Sequence, residues 1–109
     1  MATIRLVQGD TGPQLRLEFI DTYTGLPTNL QDAIVTLHFR AVDTTTTLFS
    51  RNAVIQSPAS NGVAILVWAT NDLNQPAGDY EGEIEVILSS GIRETQFDPL
   101  QFTIREDFA

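Results

Sequence analysis

The sequence predicts an all-β fold, an immunoglobulin-like antiparallel β-sandwich of about seven to nine strands. Three observations carry this. Short runs that alternate apolar with polar residues recur along the whole chain. Turn residues separate them at the spacing of a sandwich. No segment sustains an apolar period of 3.6 residues, so no amphipathic helix is expected. The 109 residues fit one domain spanning 1–109, with neither repeat nor linker. A small closed barrel is the alternative architecture.

The elements follow in order. TIRLVQ (3–8) is a first strand, ended by Gly9, Asp10 and Gly12. QLRLEFI (14–20) sets Leu15, Leu17 and Phe19 on one face and Gln14, Arg16 and Glu18 on the other. A long connection (21–33) carries Gly25 and Pro27. IVTLHFRA (34–41) turns Val35, Leu37 and Phe39 inward and Thr36, His38 and Arg40 outward. The β-branched, polar DTTTT (43–47) is a hairpin region. TLFSR and NAVIQS form two short strands or one bent strand. TNDLNQPAGD (70–79) holds at most a helical turn before Pro76 and Gly78. YEGEIEVILS (80–89) is the most regular strand, with Glu81, Glu83 and Glu85 along its outer face. IRETQF and LQFTIRED close the chain, interrupted by Asp98 and Pro99, where the proline requires a bulge or an edge.

GVAILVWA (62–69) breaks the alternation. A strand with one solvated face alternates, and this one is apolar on both. If Ala64, Leu66 and Trp68 point inward, Val63, Ile65 and Val67 point outward, and covering that second face takes a partner or a crossover of the chain itself. In AGDYEGEIEV, Tyr80 follows a turn and opens a strand. This is the position of the tyrosine corner of immunoglobulin folds, with Gly82 where those domains carry their second cysteine. Its hydroxyl is expected to bond to backbone near Leu73–Gln75.

Composition limits the chemistry. The net charge of −8 repels nucleic acid and anionic membranes. Only 18% of residues are charged, fewer than usual, which fits a surface partly covered by protein. All basic residues are arginines, which tolerate interfaces well. Cysteine is absent, so disulfides and thiolate metal sites are excluded. No apolar run approaches a membrane span, and MATIRLVQGD lacks the pattern of an export signal, which weighs against a secreted adhesin. His38 is the single histidine, on an outer strand face, where cross-strand pairing is its expected role. The glutamate stripe is expected to pair with His38, Arg40 and Arg105 across neighbouring strands rather than to catalyse, because a flat face does not raise one carboxyl pKa. Asp72, Asn74 and Asp79 offer oxygen donors but depart from the EF-hand spacing, so turn capping by Asn71 or Asp72 is preferred to calcium. QGDTG precedes a strand, not a helix, and cannot act as a phosphate loop.

An ordered set of these features resembles a known family. VQGDTGPQLRLEFID, GLPTNLQDAIVTLHFR, NGVAILVW, AGDYEGEIEV and DPLQFTIRED together resemble the small immunoglobulin-like proteins of tailed bacteriophages, which include the N-terminal domain of baseplate upper proteins. The resemblance spans nearly the whole chain. It implies a non-enzymatic virion structural protein of the tail, baseplate, fibre attachment or decoration. It also implies manufacture in the host cytoplasm, multi-copy or homo-oligomeric assembly with other virion proteins, and no cofactor. Relatives place polar residues where this chain has Val63, Ile65 and Val67. These three and the terminal Phe108 are the expected interface residues, and Leu66, Trp68 and Tyr80 the expected structural ones. A receptor- or carbohydrate-binding module is the alternative, with Tyr23 as its loop aromatic.

With one histidine and no cysteine, calorimetry with calcium, zinc and magnesium is expected to show no binding tighter than about micromolar, or roughly −8 kcal/mol. A nanomolar calcium site would redirect attention to Asp72, Asn74 and Asp79.

Overall fold

The computed structural model describes residues 3–96 and 99–108. Nine strands are present among them: β1 (Ile4–Val7), β2 (Gln14–Glu18), β3 (Ile34–Ala41), β4 (Phe49–Asn52), β5 (Val54–Ile55), β6 (Val63–Val67), β7 (Gly78–Ile87), β8 (Arg93–Thr95) and β9 (Leu100–Arg105). The one described helix is a single 3₁₀ turn, Ala59–Asn61. The strands form a β-sandwich. One sheet runs β1-β9-β7-β3-β4, with β8 also on β7, and the other runs β2-β6-β5.

The pairing is antiparallel except at one place. β1 lies parallel to β9, with Ile4 opposite Phe102 and Val7 opposite Arg105. Adjacent parallel strands need a long connection, and here nearly the whole chain intervenes. β8 and β9 both follow one side of β7. β8 pairs with Glu85–Ile87 and β9 with Gly78–Gly82. The break between them carries Pro99, which has no N–H for the ladder. Asp98, the other residue of the expected interruption, lies outside the described residues.

TLFSR and NAVIQS form two strands, and they belong to different sheets. β4 pairs with β3, and β5 pairs with β6. The chain changes sheet at Ala53, whose N–H donates to the Val35 carbonyl at 2.8 Å. The period of two persists through this corner, so only the pairing records the change.

The core lies between the sheets. Phe39 and Phe102 are its largest wholly buried side chains, with Leu30, Leu37, Leu66 and Leu73. Trp68 sits just beyond β6 and meets Phe39, Phe49 and Phe102 edge-on, at centroid distances of 5.9, 6.2 and 6.0 Å. Phe39 also stacks on Tyr80 at 5.2 Å and on Phe49 at 4.8 Å. Edge-to-face and offset-stacked rings at these separations are favourable beyond the area they bury. Gly82 makes room for this packing. A Cβ added there would lie 2.5 Å from Leu37 Cδ1 and 2.9 Å from Phe102 Cε2.

Truncating Trp68 to alanine is expected to cost about 3–5 kcal/mol of folding stability, and Gly82→Ala about 1–3 kcal/mol through overpacking. Urea unfolding of both variants checks this. A loss below about 1 kcal/mol at Trp68 would mean that it does not anchor the core.

Candidate interaction surfaces

The outer face of the three-stranded sheet follows from its register. Arg16, Ile65 and Val54 stand abreast on β2, β6 and β5, with Val67 beside Gln14 and Val63 beside Glu18. Ala64, Leu66 and Trp68 face the core and are buried. Val67 is 44% exposed and Val54 66%, and Ile65 between them is partly exposed. These aliphatics form a short apolar row with the charges of Arg16 and Glu18 along one side.

Val63 corrects the expected interface set. It stands on the outer side of the register but is only 6% exposed. The chain itself covers it, which is the crossover alternative realised at one end of the strand. Gly62 just before it adopts a left-handed φ of 69°, and a Cβ there would lie 2.6 Å from the Phe19 carbonyl oxygen and 2.9 Å from that of Thr28. Phe19 N–H donates to the Gly62 carbonyl, Leu30 N–H to Ala59 and Gln56 N–H to Val63. These bonds draw the 19–30 and 56–62 segments together over the start of β6. The row available to a partner is therefore Val54, Ile65 and Val67. Val54 was invisible to sequence reasoning because its place depends on the sheet change at Ala53.

Phe108 lies outside the core, 92% exposed, with the Arg105 guanidinium 4.7 Å over its ring. Arg105 therefore stands on the terminal ring and not on the glutamate stripe, and its Nη1 donates to the Glu106 carbonyl. The stripe finds other partners. Arg40 Nε donates to Glu81 Oε1 at 2.7 Å, and Arg93 Nε lies 2.9 Å from Glu85 Oε2. His38 Nε2 is 3.8 Å from Glu85 Oε1, and its Nδ1 is 2.6 Å from Ser50 Oγ. Cross-strand pairing is thus the arrangement of His38, with Ser50 and Glu85 as its partners.

A further exposed feature is the tight 20–27 loop. Tyr23 N–H donates to Asp21 Oδ1 at 2.8 Å, and Asp21 N–H to the Leu26 carbonyl at 2.9 Å. This presents Tyr23 at 99% exposure beside exposed Ile20 and Leu26. A cleft of about 560 Å³ opens between the sheets on the β2 flank. Leu17, Phe19, Ile84 and Val86 line it, with Arg16, Glu18 and Glu94 supplying charge.

Two polar contacts brace the 69–80 corner. Asp72, only 5% exposed, receives Arg51 Nη2 on Oδ1 at 2.6 Å and Arg51 Nε on Oδ2 at 2.9 Å. The same Oδ2 accepts the Ala69 N–H at 2.8 Å, so Asp72 caps the turn while Asn71 takes a positive φ of 76°. The paired carboxylate raises the Arg51 pKa above its ordinary value. Tyr80 forms the expected corner, but its hydroxyl donates to the Pro76 carbonyl at 2.5 Å, one residue beyond the expected range. Burial raises its pKa, so the phenol remains a donor at neutral pH. Among the described residues, no group of three or more His, Cys, Asp or Glu could hold a metal ion.

No family model and no curated protein matches the chain. Among solved structures, CopC from Methylosinus trichosporium OB3b aligns with a TM-score of 0.56 at 14% identity, covering 100% of this chain and 89% of that one. At that identity the likeness is one of fold, and it agrees with the β-sandwich.

Replacing Asp72 with alanine leaves a guanidinium and an N–H unmatched, with an expected cost of about 1–3 kcal/mol. Tyr80→Phe is expected to cost about 1 kcal/mol by removing one hydrogen bond. Because folding raises the Tyr80 pKa, that part of the stability is complete below about pH 10 and declines as pH rises through the folded value. Thermal melting from pH 7 to 11 should therefore show a shallower alkaline loss in Tyr80→Phe than in the wild type.

Proposed function

We propose that this protein is a non-enzymatic structural component of a bacteriophage virion, held in the particle by protein–protein contacts. The observation that carries this reading is the exposed aliphatic row of Val54, Ile65 and Val67 on an otherwise polar sheet face. Aliphatic side chains grouped on a solvated sheet mark contact surfaces. Of the glutamates that could suggest acid–base chemistry, Glu81 and Glu85 are engaged by Arg40 and Arg93. The ordered sequence features that resemble small phage immunoglobulin-like proteins supply the virion setting, with other virion proteins as partners and several copies per particle. Phe108 offers a second contact, held away from the core on Arg105.

A receptor- or carbohydrate-binding role is the second reading, and the fully exposed Tyr23 at a tight loop tip favours it. Glycan-array binding that disappears in Tyr23→Ala would select it.

Mass spectrometry of gradient-purified particles is the test of the first reading. The protein should be present at a fixed ratio to known tail or capsid proteins. Its confinement to the soluble lysate would overturn the proposal. Ile65→Thr and Val67→Thr are expected to melt within about 0.5 kcal/mol of the wild type, since threonine suits a strand, yet to lower incorporation severalfold. Deleting Phe108 and Ala109 should likewise preserve the fold and weaken incorporation. Threonine variants that melt as badly as Trp68→Ala would place Ile65 and Val67 in the domain's own core.

A further inference from the structure

Among the described residues, β2 is the edge of its sheet, and one side of it has no strand neighbour. It pairs only with β6, with Leu17 opposite Ala64 and Arg16 opposite Ile65. Phe19 N–H donates to Gly62 at 2.8 Å, and the Phe19 carbonyl accepts Thr28 N–H at 2.9 Å. In an antiparallel ladder, alternate residues turn both backbone groups to the same side. Leu15, Leu17 and Phe19 therefore turn theirs towards β6 and the Thr28 segment that continues its line. Gln14, Arg16, Glu18 and Ile20 turn theirs outward. Among the described residues, no hydrogen bond from a loop or a side chain ends on those outward groups. The other flank differs, because there the chain crosses from β4 to β5 and joins the sheets.

An unpaired edge is a template for another strand unless it is blunted by proline, a bulge or an inward-facing charge. None of these occurs from Gln14 to Ile20. Its inward residues are apolar, and Leu17 and Phe19 among them line the open cleft. Its outward charges are of opposite sign and two residues apart, at Arg16 and Glu18.

We infer that this edge pairs with the same edge of a second copy, antiparallel about a two-fold axis at Leu17. This deepens the structural-module reading and rests on it for its setting only. Pairing that uses the free backbone groups must set even positions against even positions. An axis at Arg16 would oppose two arginines, and an axis at Glu18 would oppose two glutamates. An axis at Leu15 would bring Pro13 into the paired stretch and set Arg16 against Gln14. The axis at Leu17 sets Arg16 of each copy against Glu18 of the other and uses the whole of 14–20. Arg16 and Glu18 already contact each other within one copy, both half-exposed, so forming the dimer exchanges one partner for its equivalent. Leu17 then meets Leu17 across the axis, and Leu15 meets Phe19 beside the cleft. Each like-charge pair placed opposite in a sheet is destabilising, and each opposite-charge pair is favourable.

Sedimentation velocity over about a hundredfold range of concentration tests this, since a reversible dimer dissociates on dilution. The wild type should show a concentration-dependent dimer. Arg16→Glu and Glu18→Arg should each raise the dissociation constant about tenfold or more, because the symmetric contact is broken twice. The double variant restores opposite charges and should return near the wild-type value, with all melting temperatures alike at concentrations too low for the dimer to form. Leu17→Cys should oxidise to a linked dimer. The chain has no other cysteine, and Cβ atoms opposite each other at this kind of position lie about 4.5–5.5 Å apart, near disulfide reach. Val54→Cys on the opposite edge should link far more slowly. A wild type that stays monomeric, a double variant that is not rescued, or equal linking at both cysteines would overturn the inference. An edge occupied by a different virion protein would leave the isolated chain monomeric and so also counts against it. The virion reading fails separately, by absence from purified particles.

Discussion

The two sheets are held together without a disulfide, and Trp68 packs between them. Immunoglobulin domains commonly bridge their sheets with a disulfide packed on a buried tryptophan. This chain has no cysteine, and Gly82 stands at the position of one. Trp68, at the end of β6, lies edge-on to Phe39, Phe49 and Phe102 from three strands of the facing sheet. Its indole N–H is buried without a partner among the described residues, so it contributes packing at a polar cost. Gly82 leaves room for Leu37 and for Phe102, one of the rings on which Trp68 packs. A bulkier residue at either position disturbs the same contact.

The segment after Trp68 is tied to both sides of the sandwich. Gly9 N–H donates to the Leu73 carbonyl, and the Gln8 side chain donates to Gln75. Asp72 ties the turn to Arg51 on β4, and Tyr80 ties β7 to Pro76. Each bond joins residues that belong to different strands or their connections, so the corner couples both sheets. Leu73, wholly buried, adds an apolar anchor. Carboxylate–guanidinium pairs that are bidentate add direction as well as attraction, which suits a joint that must hold one geometry.

With the core so fixed, the sandwich presents two flanks of different character. On one, the chain crosses from sheet to sheet at Ala53. On the other, a cleft lined by described residues of β2, β7 and β8 opens beside β2. The aliphatic row of Val54, Ile65 and Val67 crosses the adjoining sheet face. A partner engaging this face and a partner engaging the β2 edge touch neighbouring parts of one small sheet.

Local pattern determined much of this protein. The strand 34–41 has the bounds that its alternation indicates, and 80–89 keeps Tyr80, Ile84 and Val86 buried on one face as its period requires. Tyr80 found its corner because a turn and a strand flank it in sequence. The period of two states which face a residue takes, but it does not name the neighbouring strand. Tertiary structure alone therefore decided that β1 runs parallel to β9 and that the chain changes sheets between β4 and β5. It also decided that Asp72 meets Arg51, a pairing of residues 21 apart with no local signature. The same limit explains Val63. Its place on an outward-facing register was legible, but its burial came from the 19–30 and 56–62 segments, which approach only once the fold is complete. The free edge of β2 has that origin too. A sequence specifies a strand's faces through its own side chains, whereas an edge is defined by the strand that is not beside it.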